Sequence, residues 1–280
     1  MKPPILLVHG SFHTGECWEL ILPALAELGL EAHALTLGGH RGNPRPASEV
    51  SMRSYASDVI ERAEQIGGRP LLLGHSMGGL VISEAAERRP DLFCGMIYLA
   101  AFVPPAGRVS TADLPPISEG MMAAIAAGLE HRLDGTAVFP AEASREVFYN
   151  GCDPAIQDFA LARLSPQPLL AARDFVETTE ARWGAVRKHY VECTRDQALP
   201  IESQRATQAN ARFGSIRTLV SDHSPFYSQP AELADVIGKI AADGVLAPVP
   251  CAIPPGTAAL PTRCDILRHP SVGEPRPSAS

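Results

Sequence analysis

Leu71-Leu72-Leu73-Gly74-His75-Ser76-Met77-Gly78-Gly79 is the stretch that decides the fold. The leucines open an apolar run too short for a helix, and it leads into Gly-x-Ser-x-Gly. Leu80, Val81, Ala85 and Ala86 then recur at helical spacing. This spacing predicts strand, sharp turn and helix, with Ser76 at the apex. Glycine at 74 and 78 lets backbone segments pass where a Cβ would collide, and permits a strained conformation at Ser76. The hydroxyl is thereby presented above the carboxyl edge of a sheet, and the N–H groups at the start of the next helix favour an anion there. Gly-x-Ser-x-Gly is also the pattern of a plain tight turn. Its place between a buried strand and an amphipathic helix favours a nucleophile.

Toward the N-terminus, Ile5-Leu6-Leu7-Val8 predicts a buried strand ending in His9-Gly10-Ser11-Phe12-His13. A backbone N–H just beyond such a strand can pair with the N–H after a nucleophile to bind an oxyanion, so Ser11 and Met77 are the candidate donors. Without Ser76, His9-Gly10 would read as a turn. Residues 17–28 follow a helical pattern, with Pro23 implying a kink or an irregular first turn and Gly29 ending it. A strand is expected at 32–37 and a loop at 38–50. Ser51 is placed to cap a helix, with Val50 and Tyr55 as a hydrophobic staple and Gly67-Gly68 as the stop. Pro90 ends the helix after Ser76, and 96–101 is the next strand.

Alternating strands and helices imply an α/β fold: a mostly parallel sheet, helices on both faces, and ligands beyond the carboxyl ends of the strands. The rhythm fails between 108 and 182, which is read as a mainly helical cap insertion walling a small apolar pocket over a core of residues 1–107 and 183–244. Its apolar residues also serve the insertion's own packing. The sheet resumes with strands at 189–193, before Thr194-Arg195-Asp196, and at 216–220, before Ser221-Asp222-His223-Ser224. Ser76, Asp196 and His223 each follow a strand. A serine hydroxyl is a weak nucleophile until an imidazole takes its proton, and a carboxylate must hold that imidazole in one tautomer. Of the nine histidines, His75 reads as local packing and His13 and His40 as loop residues. Asp222 stands too near His223 in sequence to support its ring, and Asp174 falls in the cap.

The chain of 280 residues, 45% hydrophobic and 20% charged, is long enough for one large α/β domain. A net charge of -7 argues against a nucleic-acid partner. No apolar run approaches a membrane span, and no signal-peptide core is present, so a cytoplasmic location is expected. The six cysteines lack a Cys-x-x-Cys pair or a His cluster, so neither a zinc site nor a disulfide framework is indicated. Beyond Gly244 prolines punctuate residues 245–280, read as an extended or disordered tail. The alternative lays this tail against the domain or another subunit, which keeps a homodimer open.

His9-Gly10-Ser11-Phe12-His13 with Trp18, Gly74-His75-Ser76-Met77-Gly78-Gly79, Cys193-Thr194-Arg195-Asp196 and Asp222-His223 resemble the α/β-hydrolase superfamily. The branch most similar holds plant methylesterases, hydroxynitrile lyases and bacterial esterase relatives, and the resemblance covers about residues 4 to 242. It implies a triad of Ser76, Asp196 and His223, an oxyanion hole from the N–H groups of Ser11 and Met77, a helical cap and no cofactor. The substrate implied is a small apolar carboxylic ester. In the hydroxynitrile lyases of this branch a threonine follows the first His and a lysine follows the catalytic His. Gly10 and Ser224 stand at those positions here, which favours hydrolysis. Ser224 also departs from the apolar residue common in the plant methylesterases. The alternatives are a lyase or cyclase using the same triad for proton transfer, or a ligand-binding member without turnover.

Overall fold

A computed structural model describes residues 2–171 and 174–244. The proline-rich tail lies outside the described residues. Six parallel strands form the main sheet: β1 (Ile5–Val8), β2 (Ala32–Leu35), β3 (Leu71–His75), β4 (Gly95–Leu99), β5 (Lys188–Cys193) and β6 (Ser215–Leu219). Their order across the sheet is β6-β5-β4-β3-β1-β2. The chain builds outward from β1 to β2, then returns to β1's other side with β3. The order therefore reverses between β1 and β3, which opens a crevice at their carboxyl ends.

β1, β3, β4 and β5 are buried along their whole length. This is why β1, β3 and β4 read as largely apolar runs rather than as alternating strands, whereas β5 buries Lys188, His189 and Glu192 against hydrogen-bonding partners. The period of two still sorts their side chains. Ile5, Leu7, Leu71, Leu73, Ile97 and Leu99 enter one core, and Leu6, Val8, Leu72, Met96 and Tyr98 enter the other. Helices α1 (Leu22–Glu27) and α9 (Pro230–Gly244) contribute to the first core, through Leu25, Ile237 and Ile240. Helices α2 (Met52–Ile66) and α3 (Gly78–Arg88) contribute to the second, through Tyr55, Val59, Val81 and Ala85.

Ser51 caps α2 as expected: its hydroxyl accepts the Ser54 N–H, and the Ser54 hydroxyl in turn accepts the Ser51 N–H. The helix expected at 17–28 is instead two pieces, a 3-10 turn at Gly15–Trp18 and then α1. Pro23 is the reason. It has no N–H to donate and its ring clashes with the preceding turn, so a helix can begin at Leu22 but cannot run through it.

Between β4 and β5 lie α4 (Glu119–Gly128), α5 (Ala141–Val147) and α6 (Pro154–Leu161). This region also holds two small antiparallel sheets that the sequence reading lacked. One pairs Gly107–Ser110 with Phe175–Thr178, and the other joins Glu130–His131, Thr136–Val138 and Gln167–Pro168. Phe139, Phe148 and Tyr149 carry the region into the first core. Helices α7 (Ile201–Gln208) and α8 (Pro225–Ser228) follow β5 and β6.

Leu73 is fully buried in β3, one of the two central strands of the sheet. Leu73→Ala is expected to cost about 2–5 kcal/mol of stability, read as a lowered urea midpoint at unchanged slope.

Candidate active site

Both strands at the topological reversal end in backbone forced close together. Ser76 follows β3 with a φ of 54°, a left-handed conformation that non-glycine residues rarely adopt. Its carbonyl accepts the N–H groups of Gly79 at 3.1 Å and Phe102 at 3.2 Å, and its own N–H donates to Leu99 at 3.2 Å. A Cβ on Gly78 would stand 2.7 Å from the His9 carbonyl oxygen, and one on Gly74 would stand 2.5 Å from that of Gly78. The two glycines of the motif thus let β1, β3 and the start of α3 converge. Gly10 is equally constrained, since a Cβ there would meet the Ser76 Cβ at 2.8 Å.

Across the crevice, the His223 Nδ1 and the Asp196 Oδ2 are 2.7 Å apart, and both residues are buried. Asp196 is held in turn. Its Oδ1 accepts the Ala198 and Leu199 N–H groups at 2.7 and 2.8 Å, and its Oδ2 accepts the Gln204 side chain at 3.2 Å. The carboxylate therefore has a fixed direction, and with it the ring. Asp222, set aside as too near His223, indeed turns elsewhere. It accepts from Gly151 N–H, Ser224 N–H and the Ser228 hydroxyl, tying the His223 loop to the region between β4 and β5.

Ser11, Ser76, Met77 and His223 line a single cavity of about 120 Å³. Among the described residues, no hydrogen bond joins the Ser76 hydroxyl to His223 and no acceptor takes the N–H of Ser11 or Met77. The Ser11 hydroxyl donates to the Met77 thioether at 3.4 Å, which sets these two residues side by side. The remaining wall is apolar, with Phe102, Phe148 and Leu199 joined by Ile117 and Met121 from around α4. The arrangement suits chemistry in which a hydroxyl loses its proton and negative charge collects on an oxygen beside two N–H groups.

Three histidines brace this site. The Leu37 N–H donates to the His9 Nε2 at 3.1 Å, so the proton sits on Nδ1, which donates to the Gly10 carbonyl at 2.8 Å. The His13 Nδ1 holds the Ser11 carbonyl at 2.8 Å, and its Nε2 takes the Tyr149 hydroxyl at 2.9 Å. The His75 Nε2 donates to the His223 carbonyl at 2.8 Å. Burial pushes all three rings to lower pKa, His13 to about 4. The sequence reading placed His13 in a loop and His75 in local packing; both are buried struts on site carbonyls. Their proximity to Ser11 and Ser76 in sequence was the available signal. Among the described residues no group of three His, Cys, Asp or Glu is placed to hold a metal ion, and no helix is long and apolar enough to cross a membrane.

The profile of the alpha/beta hydrolase family matches residues 5–236. The chain belongs to this family. Among its relatives, the pyrethroid hydrolase of Sphingobium wenxiniae is 30% identical over 256 residues, covering 85% of this chain and 87% of that one. Esterase PIR7B of Oryza sativa subsp. japonica is 28% identical, covering 86% and 96%. A crystal structure of the pyrethroid hydrolase PytH superposes with a TM-score of 0.74 at 28% identity, over 87% of this chain and 99% of that one. Tomato methylketone synthase I shares the fold, with a TM-score of 0.72 at 21% identity over 87% and 99%. The α/β-hydrolase fold expected from the sequence is the fold observed, and its relatives include plant methylesterases and esterases.

Neutral struts make acid costly. The unfolded chain takes up a proton on His13 near pH 6.5, whereas the folded chain does so only near 4. Stability therefore falls as pH drops from about 6.5 to about 4, by about 3 kcal/mol for His13 alone. Urea unfolding at pH 7, 6 and 5 measures this. His13→Asn, which cannot titrate there, is expected to show a shallower dependence; an unchanged one contradicts the account.

Proposed function

We propose that the protein is a cofactor-independent serine hydrolase that cleaves a small apolar carboxylic ester through an acyl-enzyme. One observation carries the reading: a hydroxyl held at a strained turn opens on the same small cavity as an imidazole backed by a fixed, buried carboxylate. In this mechanism the Ser76 Oγ attacks the ester carbonyl carbon while the His223 Nε2 takes its proton. Asp196 keeps the other ring proton on Nδ1 and stabilises the imidazolium. The carbonyl oxygen becomes an oxyanion between the N–H groups of Ser11 and Met77. Collapse expels the alcohol, which receives the proton from His223. Water then attacks the acyl-enzyme with His223 again as base, releasing the acid and restoring Ser76.

The family and its esterase-named relatives support ester hydrolysis as the reaction class. The cavity supports the size of the substrate. Its volume of about 120 Å³ is near the roughly 150 Å³ that accommodates a benzene ring, so the acyl group is short or a single ring. Two positions favour hydrolysis over the lyase alternative. Gly10 cannot carry a side chain without displacing Ser76. Ser224 is buried, with a hydroxyl that has no hydrogen-bond partner among the described residues, and supplies no cation.

A fluorophosphonate is expected to label Ser76, located by peptide mass spectrometry, and p-nitrophenyl butyrate is expected to be hydrolysed. Ser76→Ala should lower kcat by about 10⁴ to 10⁶-fold and Asp196→Asn by about 10⁴-fold. Undiminished turnover in Ser76→Ala would remove the mechanism. Labelling without ester turnover would point instead to the lyase or ligand-binding alternative.

A further inference from the structure

Phe12 adjoins the proposed oxyanion donor Ser11, and its backbone is unusual in two ways. Its φ is 63°, a conformation disfavoured for a bulky aromatic residue. Both of its backbone polar groups are bonded to one segment of the region between β4 and β5: its N–H donates to the Gln167 Oε1 at 3.0 Å, and its carbonyl accepts the Ser165 N–H at 2.7 Å.

Gln167 is buried and its own orientation is over-determined. Facing the Phe12 N–H, only the carboxamide oxygen can serve, which directs the amide nitrogen to the Pro168 carbonyl at 3.1 Å and the Tyr55 hydroxyl at 3.4 Å. The nitrogen also lies 4.0 Å from the Met77 sulfur. Gln167 is itself fixed in the three-stranded sheet by pairing with Ala137. The Ser11–Phe12 peptide is thus held at both ends, its oxygen by His13 and its N–H by Gln167. His13 belongs to the same loop, so it can move with it. Gln167 comes from 155 residues away and anchors the loop to a separate element.

We propose that Gln167 is a positioning residue for the oxyanion hole, holding Phe12 left-handed so that the Ser11 N–H is set in place before substrate arrives. This makes the small sheet between β4 and β5 part of the catalytic electrostatics although none of its residues lines the cavity. The inference rests on the proposed roles of Ser76 and Ser11.

Gln167→Met keeps the side-chain length and removes the acceptor. Loss of one oxyanion donor costs about 10² to 10³-fold in kcat, and a donor displaced but still present is expected to cost about 10 to 100-fold. KM should change little. The affinity of a trifluoromethyl ketone, which forms a tetrahedral oxyanion on Ser76, should fall in parallel with kcat/KM. Tyr55→Phe removes one partner of the Gln167 amide nitrogen while leaving the Gln167 oxygen on the Phe12 N–H, and is expected to keep kcat within about threefold; where Gln167→Met does not fold, Gln167→Leu, which likewise lacks the acceptor, is read in its place. A raised KM at constant kcat, or an equal loss in Tyr55→Phe, overturns the proposal and leaves Gln167 a packing residue. Fluorophosphonate labelling of the unsubstituted protein is read first. Its failure takes down the hydrolase reading and this inference together, whereas labelling with an unimpaired Gln167→Met refutes this inference alone.

Discussion

Backbone crowding at the reversal of the sheet is the constraint on which the site depends. Three segments, the end of β1, the turn after β3 and the first residues of α3, pass closer than any side chain permits, and glycine at 10, 74 and 78 is what lets them. The consequence is geometric. Ser11 follows β1 and Ser76 and Met77 follow β3, so two N–H groups and a hydroxyl from residues far apart in sequence reach one small cavity. The close approach also forces Ser76 into a positive φ. Such strain is tolerated only where surrounding bonds over-determine it, and the three hydrogen bonds on the Ser76 backbone do that.

Crowding brings the groups together, but hydrogen bonds aim them. His9, His13 and His75 share one device: a buried imidazole, kept neutral by desolvation, gives a proton to a backbone carbonyl of the site. Gly10, Ser11 and His223 are the residues so held. A neutral imidazole suits this because it donates one hydrogen bond without placing a charge beside the developing oxyanion or the His223 ring. In a dry site a fixed cation would act on both at short range. His40, also lowered in pKa by burial, extends the set by packing against the His9 ring and reaching Gln167.

Much of this was legible along the chain because its causes are local. Leu71–His75 reads as a buried strand, Gly78 as a close approach and Ser51 as a cap, since each is specified within a few residues. Asp196 was preferred to Asp222 because a carboxylate adjacent to His223 in sequence supports its ring poorly, and it is the Asp196 carboxylate that lies against the His223 Nδ1. The helix expected at 17–28 is broken ahead of Pro23, where a kink or an irregular first turn was expected and a new helix begins at Leu22. The two small sheets were invisible for a different reason. Their strands are two to four residues long and pair across as many as about 70 residues, as when Gly107 meets Thr178, so no periodicity accumulates. The same holds for the Gln167–Phe12 bond, in which a single polar residue finds a partner far away in the chain.

The roof of the site also rests on contacts between residues distant in the chain. The floor of the cavity is set by residues that follow the sheet strands, but its roof comes from Ile117 and Met121, and no residue of α4 is buried. The start of α4 is tied down through Ser118, whose N–H and hydroxyl bond the carbonyls of Ala198 and Gln197. Those two residues directly follow Asp196, and the Ala198 N–H is one of the donors on its carboxylate. A displacement of α4 by a larger substrate would therefore pull on the loop that orients Asp196 and, through it, His223. The roof of the cavity and the carboxylate that faces the His223 ring are thus tied through one short segment.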